Sequence, residues 1–456
     1  MLALLLRLNS GNLSSTDNSN LSEAAMVTSL AVDGCNFFKD ERVDAPTTRP
    51  QSIQELDVRL SVVEDLALKI LYLSGSLSIS ELSEKTRLSF EVAKELSTQL
   101  RTELNCQVTG VNGYVPQIAI TSQGRARAME LFSQSHYAGP APVSLESYVE
   151  QVRLQSVRKM EIHADGVQRA FKHLVIGDET LRKFGTALNS GSSIFLYGPP
   201  GTGKTTIAET MSRVVAEDAV WIPYAIEVDG QIITVYDPAI HKRAAEAEPE
   251  SRDERWVLCE RPAVLAGGEL TIEMLDLQFN PVTKFYVAPI QMKANNGVLI
   301  IDDFGRQRMR PEDLLNRWVV PLDRRIDFLS LSGGKKIEIP FEMLVVFASN
   351  MDPAELVDAC FLRRIQTKIK IGTVSDTQFC EIFRRVADEN QVAFEPGVPK
   401  DLIDFIRGTM KQELRQCYPR DIVNQVLWAA RYEGKKAYLD YAAMTQAVEA
   451  YFLARP

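Results

Sequence analysis

Residues 198–205, with the sequence GPPGTGKT, place three glycines, two prolines, two threonines and a lysine between an apolar run and an amphipathic one. Glycines let consecutive backbone N–H groups turn inward and approach phosphate oxygens closely. Lys204 would reach the terminal phosphates, and the hydroxyl of Thr205 would bind Mg²⁺. The candidate phosphate-binding residues are Gly198, Pro199, Pro200, Gly201, Thr202, Gly203, Lys204, Thr205 and Thr206.

The elements around this loop are the ones that a phosphate site requires. Residues 193–197 predict a buried strand that enters the loop, and residues 205–215 predict a helix that leaves it. The positive end of that helix would favour an anion. The alternative, a glycine-rich turn without a ligand, is disfavoured because strand, loop and helix occur together.

A second candidate site is the run GVLIIDDFG at 297–305, which ends in Asp302 and Asp303. A strand that is apolar on both faces belongs in the centre of a parallel sheet, and ligands gather at the carboxyl ends of such strands. Asp302 would hold Mg²⁺ through water, and Asp303 would polarise an attacking water. A surface turn is the alternative, since two adjacent acids alone are weak support.

With these two motifs the chain resembles the AAA+ ATPases, in which GPPGTGKT is the Walker A motif and GVLIIDD the Walker B motif. The resemblance implies an α/β fold: a P-loop parallel sheet with helices on both faces and a C-terminal helical lid. It also implies ATP hydrolysis with ATP and Mg²⁺ as cofactors. The run FEMLVVFASN at 341–350 resembles sensor 1, so Asn350 would orient the hydrolytic water; alone, Asn350 would suggest a strand-end cap.

The same resemblance assigns roles to three arginines. In DACFLRRIQTKI, Arg363 and Arg364 stand where many AAA+ proteins carry the arginine finger, which acts on the nucleotide of a neighbouring subunit. In CYPRDIVNQV, Arg420 resembles sensor 2, which contacts the nucleotide from the lid. The alternative for each arginine is an ordinary solvated surface charge.

A segment before the phosphate loop, HLVIGDETL, resembles the AAA+ segment that packs on adenine. Val175, Ile176 and Gly177 are therefore candidates for that contact. Core packing is an equally good explanation for their apolar character.

Two features depart from the common AAA+ pattern. The acidic pair is Asp-Asp where the family usually has Asp-Glu, so the shorter Asp303 puts fast hydrolysis in doubt. Lys204 and Asp302 are 98 positions apart, which is long for this superfamily. The excess predicts a β-rich insertion near 221–296, including a hairpin at Asp229-Gly230.

A further hairpin is predicted at 325–339, with its turn at Gly333-Gly334. Its position just before the sensor 1 strand resembles the pre-sensor hairpin of the AAA+ branch that contains the MoxR-type chaperones. The chain also resembles bacterial proteins described as predicted ATPases with chaperone activity.

Composition and pattern divide the chain into five parts. The first is polar and predicted to be disordered or loosely attached, and the second predicts helix, helix, helix, hairpin, helix, which resembles a winged-helix module. The parts are 1–54, the winged-helix-like domain 55–135, a linker at 136–152, the nucleotide-binding α/β domain 153–372 and the helical lid 373–456.

Composition excludes several classes of protein. Six cysteines form no C-x-x-C pair and there are four histidines, so a zinc site or a disulfide framework is disfavoured. The apolar run in MLALLLRLNS is too short for a signal peptide, and no later run approaches the ~18 residues of a membrane helix. We therefore expect a cytoplasmic protein without membrane insertion.

Three functions remain open from the sequence. The first is a chaperone-like remodelling ATPase that acts as a homo-oligomeric ring, a hexamer by resemblance, on a protein client. The second is a DNA-linked ATPase or regulator that uses residues 55–135. That segment carries ten acidic and eight basic residues, so a nucleic-acid partner there is disfavoured. The third is a slow nucleotide-dependent switch, which Asp303 would permit.

Overall fold

The computed structural model describes residues 48–112, 115–245, 252–356 and 359–452. Most of the N-terminal segment predicted to be loosely attached, residues 1–47, lies outside this range. So does Gly113, at the turn of the hairpin predicted in the N-terminal module, which we define as residues 55–135.

The N-terminal module consists of four helices and a small antiparallel sheet in the order β1-β3-β2. Serine caps fix two helix starts: the side chains of Ser78 and Ser89 accept hydrogen bonds from Glu81 N and Val92 N. The elements are α1 (Leu60–Ser74), β1 (Ser76–Ser78), α2 (Ile79–Thr86), α3 (Phe90–Thr102), β2 (Cys106–Asn112), β3 (Val115–Ile120) and α4 (Ser122–Gln134).

The segment predicted as a linker, 136–152, differs from that prediction. Strand β4 (Val143–Ser144) pairs with residues 226–227, and helix α5 (Leu145–Leu154) follows it. Tyr148 of this helix is buried, and its hydroxyl accepts a hydrogen bond from Asn295 Nδ2 at 2.9 Å. The prolines 140 and 142 suggested a break in structure, but tertiary contacts order the residues after them.

The centre of the chain is a parallel five-stranded sheet in the order β10-β13-β16-β5-β17. The strand before residues 198–205, β5, therefore lies beside β16, which precedes Asn350, and β13, which precedes Asp302, lies on the other side of β16. The strands are β5 (Ile194–Tyr197), β10 (Ala263–Ala266), β13 (Val298–Ile301), β16 (Leu344–Ser349) and β17 (Thr367–Lys370).

Helices cover both faces of this sheet because successive strand residues face opposite sides. On one face Ile194 and Leu196 pack in a core with α6 (Ala164–Phe171), α7 (Asp178–Asn189) and α8 (Lys204–Val215). On the other face Phe195 and Phe347 stack with ring centroids 6.0 Å apart. That core includes residues of α10 (Pro311–Arg317) and α11 (Val319–Arg324). The predicted α/β fold class is confirmed.

We call the residues between α8 and β13 the insertion; they are rich in strands, although β10 within this stretch belongs to the central sheet. Asp229 and Gly230 turn the β7–β8 hairpin, both with positive φ, at 52° and 80°. Most of the strands form a mixed sheet in the order β11-β12-β8-β7-β4, and β6 pairs with β9. The elements are β6 (Ala219–Pro223), β7 (Ala225–Val228), β8 (Gln231–Thr234), β9 (Trp256–Glu260), β11 (Gln278–Phe279), β12 (Tyr286–Val287) and α9 (Ile290–Lys293).

The N-terminal module packs on this insertion through a shared interior. Ala225 and Ile232 of the insertion belong to the apolar core of the module. Arg255, only 3% exposed, pairs with Asp57 of the module at 2.6 Å and with the buried Asp253 at 2.7 Å. A desolvated pair of this kind is costly to break, so the module and the insertion are held in one arrangement.

The hairpin predicted before β16 is present as β14 (Ile326–Ser330) and β15 (Lys336–Pro340), with Gly333 and Gly334 at positive φ. Asp327 at its base is buried and pairs with Arg317. At its tip, Lys335 pairs with Asp229 of the β7–β8 turn.

The C-terminal part of the described chain is helical, as predicted, and it has its own apolar core. We call residues 373–452 the lid. None of the described residues belongs to a helix long and apolar enough to cross a membrane. The helices after β16 are α12 (Pro353–Leu356), α13 (Ala359–Leu362), α14 (Asp376–Glu389), α15 (Val398–Asp404), α16 (Cys417–Tyr432) and α17 (Tyr441–Tyr451).

Candidate functional site

The phosphate loop connects β5 to α8 through backbone conformations that favour glycine. Gly198, Gly201 and Gly203 have φ values of 147°, 78° and 76°, which side-chain-bearing residues rarely adopt. A Cβ atom on Gly198 would also collide with the carbonyl oxygen of Ile371. The three glycines are therefore required by the path of the loop, and the loop ends at the N-terminus of a twelve-residue helix.

Lys204 lies in the first turn of α8 and is nearly buried. Its ammonium group donates hydrogen bonds to Gly198 O at 3.0 Å, to Pro199 O at 2.9 Å and to Asn350 Oδ1 at 2.7 Å. Burial lowers its pKa below the ordinary lysine value. The carboxylates of Asp302 and Asp303 act in the opposite direction on this pKa and favour the charged form.

Thr205 and Asp302 meet across the sheet. The hydroxyl of Thr205 donates a hydrogen bond to Asp302 Oδ2 at 2.9 Å. A hydroxyl and a carboxylate are oxygen ligands that suit Mg²⁺, which usually completes its shell with water and substrate phosphates. The described residues contain no cluster of three His, Cys, Asp or Glu side chains that could bind a metal. The two oxygen donors of Thr205 and Asp302 fit a magnesium ion that is shared with phosphates.

Asp303 and Asn350 form the second polar pair of the site. Asn350 follows β16, and its Nδ2 donates to Asp303 Oδ1 at 3.0 Å. Because its Oδ1 also accepts from Lys204, Asn350 links the phosphate loop to the acidic pair. Asp303 is exposed and has a positive φ of 49°, an uncommon conformation for a residue other than glycine. The ends of three neighbouring strands thus bring these groups together.

The two candidate finger arginines lie in different surroundings. Arg363 is exposed. Arg364 is engaged within the chain: its Nε pairs with Asp323 Oδ2 at 2.9 Å, and its carbonyl accepts a hydrogen bond from Ser193 Oγ at 3.1 Å. Of the two, only Arg363 is presented to solvent.

The lid contacts the phosphate loop through residues that the sequence analysis missed. Cys417 N donates to Gly201 O at 3.1 Å, and a Cβ on Gly201 would lie 2.5 Å from Cys417 Sγ and 3.5 Å from Arg415 Cδ. Arg415 Nε and Gln416 Oε1 are buried without a hydrogen-bond partner. Arg420, the predicted lid residue, is exposed one turn further along α16.

Arg415 could have been found from the sequence only as a second arginine near the start of this helix. The prediction chose Arg420 because the run CYPRDIVNQV resembles the sensor 2 helix. The helix begins at Cys417, and the turn before it lies on the loop.

The candidate adenine segment lies between the central domain and the lid. Ile176 is half-buried against the core of the sheet, and Gly177 caps the start of α7. A Cβ on Gly177 would lie 4.0 Å from Gln378 Nε2 of α14. The segment thus packs on the core of the central domain and also lies at the boundary between the central domain and the lid.

Comparison with known proteins gives one family match and several distant structural likenesses. A family model described as "Domain of unknown function (DUF8689)" matches residues 375–450. The RuvB Holliday junction branch migration motor of Thermotoga maritima is 16% identical, with a TM-score of 0.36, over 60% of this chain and 70% of that chain. NtrX from Brucella abortus in complex with ADP is 10% identical, with a TM-score of 0.39, over 73% of this chain and 67% of that chain.

Proposed function

We propose that this protein binds ATP with Mg²⁺ and hydrolyses it, as an ATPase of the AAA+ type. The observation that carries the proposal is the convergence of a glycine loop, Lys204, the Thr205–Asp302 pair and the Asn350–Asp303 pair at one edge of the sheet. A structural turn has no need of this set of groups in mutual hydrogen bonding.

Each side chain has a role in this proposal. Lys204 and the loop N–H groups neutralise phosphate charge, and Thr205 with Asp302 holds Mg²⁺. The ion supplies charge neutralisation at the transferred phosphate. Asp303 accepts the proton of the attacking water, and Asn350 orients both. The short side chain of Asp303 leaves a slow switch as the second candidate.

Arg415 is our candidate for the lid group that contacts the phosphates, in place of Arg420. Its unpaired Nε, buried beside Gly201, supports this assignment. Ile176 and Gly177 remain the candidates for adenine, because they border both the core and α14.

We also propose that the protein forms a homo-oligomeric ring, a hexamer by resemblance, in which Arg363 acts on the nucleotide of the neighbouring subunit. Its exposure supports this choice, since Arg364 is engaged with Asp323. The work of the ring would be chaperone-like remodelling of a protein client; a DNA-linked role of residues 55–135 is the alternative. Mixing an R363A protein with a K204A protein tests the ring, because active sites that combine intact residues from both should recover activity.

The decisive experiment measures nucleotide binding by calorimetry and turnover by phosphate release. We expect Lys204→Ala to reduce turnover at least ~100-fold, because the loop loses its charge for the phosphates. Lys183→Ala, at an exposed lysine on α7, is the matched control and should retain activity. If well-folded wild-type protein ignores millimolar Mg²⁺–ATP, the proposal fails. If it binds ATP without cleavage and Asp303→Glu restores turnover, the switch is the correct function.

A further inference from the structure

Four aromatic side chains of the lid project into solvent. Trp428 is 59% exposed, Tyr432 93%, Tyr438 46% and Tyr441 52%. We call these four residues the lid aromatic face. The described residues of the lid expose no large aliphatic side chain. The large hydrophobic side chains that the described part of the lid exposes are therefore all aromatic.

The fold holds these rings in place. Trp428 and Tyr432 are four residues apart on α16, on the same side of the helix. The opposite side carries Ile422 and Val423, which are fully buried in the lid core. The rings therefore stand on a supported helix.

The loop between α16 and α17 is also anchored. Lys435 N donates to Ala430 O at 2.9 Å, which closes the end of the helix beside Gly434. Leu439 is buried, and its N–H donates to Ala393 O at 3.0 Å. Tyr438 and Tyr441 flank this anchor, so all four rings belong to an ordered surface.

Positive charge is interleaved with the rings. Between Trp428 and Tyr441 lie the three basic residues Arg431, Lys435 and Lys436 and the two acidic residues Glu433 and Asp440. Asp440 caps the start of α17 by accepting a hydrogen bond from Ala443 N. Lys435 pairs with Glu433 at 2.8 Å. Among the described residues, Arg431 and Lys436 have no acidic partner, so both are available to an anionic ligand.

The exposure of the rings favours a ligand with flat faces and negative charge. None of the four rings stacks on another ring in the part of the chain that the structure describes. Interface anchors between proteins usually fill pockets that exclude water, whereas Tyr432 stands almost free. Every nucleobase offers a face for stacking, and its backbone offers phosphates to Arg and Lys.

We propose that the lid aromatic face binds single-stranded nucleic acid, with bases stacking on Trp428 and Tyr432 and phosphates pairing with Arg431 and Lys436. This surface differs from residues 55–135, where acidic residues outnumber basic ones. The proposal does not depend on ATP hydrolysis, because neither the rings nor these cations belong to the nucleotide site.

Tryptophan fluorescence provides a direct test. The chain contains four tryptophans, and Trp221, Trp256 and Trp318 are buried. Trp428 is thus the tryptophan that an added ligand can reach. We expect an oligothymidylate of about 20 nucleotides to quench this fluorescence in the full-length protein, and the anisotropy of a labelled copy to rise in parallel. A plot of the logarithm of the binding constant against the logarithm of the salt concentration should have a slope of about −0.7 for each phosphate that the protein neutralises.

Variants separate stacking from charge. Trp428→Ala should weaken binding at least ~5-fold, since one stacked base contributes a factor of that size or more, and Trp428→Phe should retain most of the affinity. Arg431→Ala with Lys436→Ala should reduce the salt slope. Phe90→Ala, at an exposed aromatic residue of α3, is the matched control and should bind like wild type.

Two results would overturn the proposal. One is the absence of quenching and anisotropy change at low salt in protein that is folded by circular dichroism. The other is a Trp428→Ala variant that dissociates in sedimentation while wild type ignores the oligonucleotide, because the face would then be covered by a second copy of this chain.

Discussion

The N-terminal module and the lid contact the central part of the chain through different kinds of interaction. The module is joined to the insertion by a desolvated ion cluster around Arg255 and by a shared apolar core. The lid reaches the phosphate loop itself, through Cys417 N and the packing of Arg415 against Gly201. The first junction is suited to holding a fixed geometry, and the second is suited to responding to a nucleotide.

The exposed apolar surface of the two regions differs in the same way. The module exposes mainly aliphatic residues, whereas the lid exposes only aromatic ones among its described residues. Aliphatic surface with a net acidic charge suits a protein partner, and this agrees with the sequence analysis, which disfavoured a nucleic-acid partner for residues 55–135. Aromatic surface with free cations suits nucleic acid. One chain thus presents two chemically distinct surfaces.

The largest expected effect comes from the ion cluster. Arg255→Met leaves the buried Asp253 without its partner, and we expect a loss of about 3–5 kcal/mol in the free energy of unfolding. Urea unfolding measures it. Arg384→Met, at an exposed pair with Glu381, is the control and should change stability by less than ~1 kcal/mol. Equal losses in the free energy of unfolding would show that the buried cluster contributes no more to stability than an exposed ion pair. The contrast between the module junction and the lid junction would then fail.

Lys69 gives the module a pH dependence of its own. This lysine of α1 is 4% exposed, and burial lowers its pKa to about 8. The unfolded chain, with a lysine pKa of about 10.4, binds more protons than the folded chain between these two values. The free energy of unfolding should therefore rise with pH through this window, by up to about 3 kcal/mol. Urea unfolding over this range should show a flatter rise for Lys69→Met than for wild type.

A change at the lid junction should act on the nucleotide more than on folding. Gly201→Ala places a methyl group 2.5 Å from Cys417 Sγ at a φ of 78°, so the loop and the lid must separate. We expect ATP affinity, measured by calorimetry, to fall at least ~10-fold. Adding Cys417→Gly removes the clash and should recover part of that loss. No recovery would mean that the strain of the backbone alone accounts for the effect.

The smallest expected effect is the difference in ATP affinity between variants of two arginines of the lid. Arg415→Ala should weaken ATP binding about 10-fold, because a charge near the phosphates is lost. Arg420→Ala should change the affinity by less than ~2-fold, since its side chain points to solvent. Titration of both variants with ATP decides between them, and a larger effect at Arg420 would restore the residue chosen from the sequence.

Local sequence determined much of the candidate site. Glycine spacing fixed the loop, because only glycine tolerates the backbone angles at Gly198, Gly201 and Gly203. Continuous apolar runs fixed the central strands, and the polar residue after each run placed Asp302 and Asn350 at one sheet edge. The Asp229-Gly230 turn was equally readable, since two successive positive φ angles demand such a pair.

Only the tertiary structure decided the rest. Prolines 140 and 142 suggested a linker, but β4 finds its hydrogen-bond partner in a strand more than eighty residues away, and pairing at that distance leaves no local pattern. Arg415 became a candidate only because the turn before α16 lies against Gly201. The exposure of Trp428 and Tyr432 depended on which face of α16 the lid core covers. The chain determines which conformations are locally possible, and long-range packing selects among them.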